Sequence, residues 1–458
     1  MTMKKPIVVT AFLMLAGAAA IAQHPHDHHH ADTTHKAHEQ RQPDATQKVH
    51  EQHQQDMAPH MSHAFSRNLS MNRNSSGTAW LPDEAPMYGI MLHSKKWMYM
   101  LHGNVFARYN NQDVGNAGSR GDAKFDVPNW FMGMGQTNVG KRGLFRFSAM
   151  ISLDRLTMGG NGYPLLYQSG ETWKGQPLVD RQHPHDLFAE LSVGYTHMLN
   201  RNIDVFVYLG YPGEPALSAP TFMHRPSSLY NPDAPLGHHW QDATHITFGV
   251  VTAGVRYKNF KLEASSFTGR EPDEDRYNFD KARFDSWSAR LSYNPSAEWA
   301  LQVSHAYINS PEWIDPDEDV HRTTASAVHA KRWGKDRMLN SAVVWGYNYV
   351  DEHHNEHSVL LESAYNWRKN AIYGRYEFLE KSAEELHLSE NEYGHDALFK
   401  VNALTLGVHR AIASVGKIHM AAGTQATLYI SDDRLKGLYG KTPLAWQIYV
   451  RLYPAFMQ

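Results

Sequence analysis

Between residues 97 and 453, short and long gaps alternate strictly between about sixteen segments that read as β-strands. Seven gaps are tight turns, at residues 139–142, 200–202, 258–259, 295–298, 334–336, 368–370 and 413–417. The gaps between them are longer, polar and often acidic, at 111–126, 155–185, 211–243, 269–283, 310–320, 382–396 and 432–443, with 351–357 the shortest of the set. A closed antiparallel barrel that spans a bilayer has this asymmetry, with hairpins tight on one side and looped out on the other. The alternation therefore points to a membrane, although no mature stretch is long enough for a transmembrane helix.

The segments carry the two-residue period that a barrel wall requires. In the first, Trp97, Tyr99, Leu101, Val105, Ala107 and Tyr109 share one face, and Met98, Met100, His102, Asn104 and Arg108 the other. In the last, Leu444, Trp446, Ile448, Val450 and Leu452 alternate with Ala445, Gln447, Tyr449 and Arg451. A water-soluble sandwich would turn the same apolar face inward. The strands, however, are longer than usual globular ones and suit a tilted span. In hydrocarbon every backbone N–H and C=O must be paired, so a sheet there must close. The expectation is an all-β, up-and-down antiparallel transmembrane β-barrel of 16 strands, with 14 or 18 as alternatives.

Ahead of the barrel, Lys4 and Lys5 precede the apolar run 6–20, and Ala20-Ile21-Ala22 offers a small-residue cleavage site, so residues 1–22 read as a secretory signal. Residues 23–80 are polar and lack sustained apolar periodicity, which predicts a disordered, His-rich tail on the periplasmic side. Residues 81–96 read as a connector and 97–458 as the barrel. There is no cysteine, so stability has to come from the closed hydrogen-bonded framework. A net charge of −3 gives no reason to expect nucleic acid as a partner. With 12 Trp and 23 Tyr the chain can furnish interfacial aromatic girdles.

The residues with ligand chemistry are unevenly spread. The tail holds His24, His26, His28, His29, His30, His35, His38, His50, His53, His60 and His63, with Met57 and Met61 among them. Neutral imidazole binds Cu, Zn and Ni, and thioether sulfur adds a preference for Cu(I), so a flexible tract of this kind suits capture. The plain alternative is a hydrophilic linker. His183-Pro184-His185-Asp186 repeats the tail's His24-Pro25-His26-Asp27, and His183, His185 and Asp186 could supply an N/O ligand set. Against this stands a polar anchor in which Asp186 and Arg181 bond across the barrel mouth. Further candidates are His238, His239, Asp242 and His245, and the run Asp351, Glu352, His353, His354, Glu356 and His357, although charged loop tips are usually solvated. On the inner face, Met98, Met100 and His102 could neighbour Met132 and Met134, with Met150 near, a row able to pass Cu(I) if register allows. Glu190, Lys261, Glu263, Arg290, Glu362, Arg375 and Glu377 also point inward, and mixed signs in one lumen predict ion pairs that narrow the pore. No GxSxG, HExxH or phosphate-cradling glycine motif occurs in its required context, so no enzyme activity and no organic cofactor are expected.

In topology the mature chain after the tail resembles bacterial outer-membrane β-barrel proteins. These commonly end on an aromatic residue read by the assembly machinery; here Tyr453 and Phe456 are present, but the chain runs on to Gln458. The His/Met-rich tail ahead of a barrel resembles outer-membrane copper-resistance proteins of the B kind, a likeness of tail composition and general architecture. That resemblance implies periplasmic copper binding and metal tolerance through the tail residues. The expected protein is therefore a Gram-negative outer-membrane barrel that binds copper, or else zinc or nickel, in sequestration, tolerance or export. Its expected partners are membrane lipid, the assembly machinery and metal-efflux components. The rival readings are a porin-like channel for small solutes with an incidental tail, and a structural or surface-interaction barrel.

Overall fold

The computed structural model describes residues 65–313, 316–350, 355–394 and 397–457. Its main sheet has eighteen strands, of which Ile90–His93 and Ala123–Asp126 are four-residue pieces. The other sixteen make the wall: β1 Trp97–Asn111, β2 Asn129–Val139, β3 Gly143–Ile151, β4 Phe188–Met198, β5 Ile203–Gly210, β6 Val250–Tyr257, β7 Phe260–Phe267, β8 Ser286–Ser296, β9 Trp299–Ile308, β10 Val320–Trp333, β11 Arg337–Val350, β12 Asn355–Trp367, β13 Asn370–Ser382, β14 Leu398–Val415, β15 Ile418–Ser431 and β16 Leu444–Pro454. Successive strands pair antiparallel. The barrel closes where β1 meets β16, from Val105↔Leu452 to Asn111↔Trp446. The rest of that edge of β1 is taken by Ile90–His93, which pairs with residues 98–101. Closure pairs each of the sixteen wall strands with two neighbours, as a sheet in lipid demands.

The tight turns fall where local sequence places them. Lys258-Asn259 closes a two-residue hairpin with Lys258 at φ 52°, the left-handed conformation such a turn requires. The apolar face looks outward: in β16, Leu444, Trp446, Ile448, Val450 and Leu452 are all exposed on the barrel exterior, whereas Ala445, Gln447, Tyr449 and Arg451 are buried. Strands β5, β6 and β7 span only eight residues each, shorter than the rest, because there the chain leaves the wall to enter the lumen.

Two polar segments occupy that lumen. Residues 211–249, between β5 and β6, fold inward and are almost entirely buried. Arg225 from this segment ties to Glu362 of β12 at 2.5 Å, and Arg375 of β13 reaches the same carboxylate at 3.1 Å. Asp233 takes Arg108 of β1 at 2.5 Å. Wall charges also pair among themselves, with Glu263 between Lys261 (3.0 Å) and Arg290 (3.1 Å). Five of the seven inward charges, Lys261, Glu263, Arg290, Glu362 and Arg375, thus form ion pairs within the lumen, whereas Glu190 accepts from Ser192 and Tyr208 and Glu377 from the Leu236 and Gly237 amides.

The second segment corrects the sequence reading. Residues 65–80, expected as the end of a disordered tail, are ordered and largely buried inside the barrel, with Phe65 and Trp80 among the least exposed side chains. Ser66 bonds to Asp204, Lys261 donates to the Thr78 carbonyl, and Arg290 donates to Thr78 Oγ1 at 2.9 Å. Arg67 and Asn68 reach the carbonyls of Lys141 and Asn200, so this plug sits at the tight-turn end. Its polarity misleads because a barrel's inner face is itself polar, and hydrogen bonding can stand in for apolar burial. The proposed signal and the tail from residue 23 to 64 lie outside the described residues.

Candidate metal centre

Three long connections meet inside the barrel near its long-loop end. The β3–β4 connection brings His183 and His185; the inward segment brings His238, His239 and His245; the β7–β8 connection brings Glu271 and Arg276. The five imidazoles stand in a closed ring. Neighbouring ring centroids are 6.2 Å apart for His183–His185, 5.5 Å for His185–His245, 5.0 Å for His245–His238, 5.5 Å for His238–His239 and 6.5 Å for His239–His183. All five are buried.

On four of the five rings Nδ1 has an acceptor within hydrogen-bond distance, His183 having the Pro184 carbonyl at 3.3 Å as well as Glu171. His185 Nδ1 lies 2.7 Å from Asp154 Oδ2, His238 Nδ1 2.6 Å from Asp242 Oδ1, and His245 Nδ1 2.9 Å from the Asp242 carbonyl. His183 Nδ1 is 3.2 Å from Glu171 Oε1, and His239 Nδ1 3.6 Å from Glu271 Oε1. An acceptor at Nδ1 fixes the tautomer and leaves Nε2 as a lone-pair donor, the usual outer shell of a metal-bound histidine. The Nε2 atoms of His185, His239 and His245 are buried without a partner. A buried polar atom left unsatisfied costs about 1–3 kcal/mol, and three of them stand in this one ring. Burial first, then the neighbouring imidazoles His185 and His238, lowers the His183 pKa to about 3. Burial likewise holds His239 and His245 well below the usual range, so these rings are neutral at pH 7 and competent as ligands.

As they stand, no three His, Asp or Glu side chains among the described residues converge on one point as a ready-made ligand set. Local backbone makes room for the ring: Gly170 has φ 102°, and a Cβ there would run into His239. Beside His239 opens a cavity of about 60 Å³ bordered by Glu271, Glu312, Glu318, Glu356 and Glu385 together with Arg322.

The sequence candidates thus divide. His183 and His185 enter the ring together with His238, His239 and His245, which the sequence showed as a separate cluster. Asp186 does not join them; Arg276 engages it at 3.2 Å, and Arg276 also pairs with Glu171. The rival reading, an Asp186–Arg181 anchor, does not hold either, since Arg181 pairs with Asp122. Of the run near 351–357, Glu356 turns inward to accept from Trp240 Nε1 at 2.9 Å, while His357 lies on the alternate face beside Trp345 and Tyr347. The pair therefore makes no common site, and residues 351–354 lie outside the described set, as do the tail candidates His24 to His63 with Met57 and Met61. Asp154, Glu171 and Glu271, which stand beside the ring, were not among the sequence candidates, because no ligand-spaced motif includes them.

Comparison with known proteins supports the fold. No family model matches this chain, and no curated protein matches it. Among solved structures it is similar to Salmonella typhi OmpF in complex with daunomycin, at TM-score 0.50 and 8% identity over 80% of this chain and 100% of that one. An anion-selective porin from Comamonas acidovorans aligns at TM-score 0.46 and 12% identity, over 79% and 100% of the two chains. The protein is a closed sixteen-stranded, porin-like barrel of the outer-membrane type.

Proposed function

We propose that this outer-membrane barrel binds transition-metal cations in its lumen, with the five-histidine ring as the central site. The observation that carries the reading is the orientation of the imidazoles: four of the five Nδ1 atoms lie within hydrogen-bond distance of a carboxylate or carbonyl, and three buried Nε2 atoms have no partner. Nitrogen donors with carboxylates behind them suit Cu(II), Zn(II) and Ni(II), and Cu(II) heads that order of affinity. A histidine tail on the periplasmic side would add capture there. Metal sequestration, tolerance or export is the role this chemistry serves.

The second reading, a channel for small solutes, is favoured by the porin-like wall. It requires the plug and the inward segment to move, since together they fill the lumen of the described barrel. Isothermal titration of the detergent-purified full chain with Zn(II) and Cu(II) separates the two, alongside a His185→Ala/His245→Ala variant. The metal reading expects one tight site lost in the variant while heat-modifiable gel migration is kept. Unchanged stoichiometry and affinity, together with solute-driven swelling of proteoliposomes, would give first place to the channel.

A further inference from the structure

A second cluster, independent of the histidine ring, lies at the tight-turn end. The register sets Met100 opposite Met134 and His102 opposite Met132 across β1 and β2, with Met98 opposite Gln136. Met132 in turn faces Met150 of β3. The row suspected from the two-residue period is therefore a real apposition. Two more thioethers come from the segments filling the lumen: Met71 from the plug and Met223 from residues 211–249. They enclose a cavity of about 110 Å³ that His102 and His224 also line. A smaller one, of about 40 Å³, continues along Met98 and Met134.

Methionine commonly serves as a filler of irregular cores. A filler leaves no void, however, and here six thioethers, Met87 among them, border the larger one. His102 Nε2 is buried without a partner, and its ring centroid stands 5.7 Å from that of His224. We propose that this chamber is a Cu(I) site, its ligands drawn from Met100, Met132, Met134 and His102. Thioether sulfur is a weak ligand for Zn(II) and a good one for soft monovalent ions, so the chamber and the histidine ring select different cations. Arg451 reaches the same cavity, held by Asn104 at 2.7 Å, and its charge opposes a cation nearby; this sets the ion toward the Met132–Met134 side.

The two sites share a wall. A cavity of about 50 Å³ borders the methionine chamber at Asn104, Trp130, Met223 and Leu229, and touches His185 and Asp154 at its other end. The order along the lumen is then glutamate-bordered cavity, imidazole ring, thioether chamber and plug.

Silver(I), a soft ion with no accessible redox change, is the probe. Full-length protein in detergent is titrated with Ag(I), and the Met100→Leu/Met132→Leu/Met134→Leu variant is compared on the same tail background. The expected result is loss of one tight Ag(I) site, with affinity there down at least about 100-fold and Zn(II) binding unchanged. An Ag(I) isotherm equal to that of wild type overturns the proposal. If the triple variant fails to fold, methyl NMR of wild-type protein labelled at methionine decides, with single Met→Leu variants assigning the signals. Ag(I) should shift the Met100, Met132 and Met134 methyls; shifts confined to Met57 and Met61 reject the chamber. Zn(II) binding lost in the ring variant bears on the ring alone, so the two proposals fail separately.

Discussion

Removing the Glu362 carboxylate should loosen the inward segment and open the lumen. This carboxylate lies in the wall and accepts three bonds: from Arg225 Nε at 2.5 Å, Ser227 Oγ at 2.8 Å and Arg375 Nε at 3.1 Å. Two of the donors belong to the inward segment, and Arg375 reaches that segment again through Ser228 Oγ at 2.7 Å and the Asp233 carbonyl at 3.0 Å. All three charged side chains are at most 2% exposed. Deleting one partner of a buried pair costs about 3–5 kcal/mol, because the charge left behind has neither water nor counterion. Here the low end applies, since Arg225 keeps Asp242 at 3.5 Å and the Pro220 carbonyl at 3.1 Å. About 3 kcal/mol corresponds to a rise of roughly 100-fold in the released population. In planar bilayers the Glu362→Ala protein should therefore show open-channel events far more often than wild type, and should unfold at lower denaturant. Equal event frequency and an equal unfolding midpoint would refute the argument. So would steady conductance in the wild type, which would mean that the packed lumen does not obstruct passage.

Gly170→Ala should cost metal affinity at the histidine ring and leave the barrel assembled, because the added methyl displaces His239 rather than any wall strand; calorimetry and gel migration check both halves. Glu214 lies in the inward segment against Gly77 of the plug, and burial raises its pKa from 4.5 to about 8. The packed state thus holds a proton that the released state gives up between those two values, so packing is favoured at low pH and weakens as pH rises toward 8. Hydrogen exchange in residues 65–89 should quicken over that window, and Glu214→Gln should flatten the dependence. Deleting residues 23–63 should leave the barrel intact, since all sixteen described wall strands lie between Trp97 and Pro454, while lowering cell-associated metal in a host that depends on the protein. A peptide of those residues should lose Zn(II) as pH falls through about 6.5 to 5, where ordinary histidines gain a proton.

The wall was legible in the sequence because its causes are local. A two-residue period sets which side chains meet lipid, and tight gaps such as 258–259 set which strands are neighbours, so Trp97 and Leu444 could be read as outward-facing at once. The contents of the lumen were not legible in that way. His183 and His245 are 62 positions apart, and the chain carries no mark that the β3–β4 connection and the inward segment fold into one chamber. Residues 65–80 looked like solvent-exposed tail because burial was judged by apolarity, and inside a barrel the matching surface is polar. Asp204, Lys261 and Arg290 satisfy that segment, and each lies more than 120 residues away in sequence. Periodicity thus determined the barrel, and with it which residues could line the interior. Only the tertiary structure decided which of those met, because contacts between distant loops depend on how the lumen is filled.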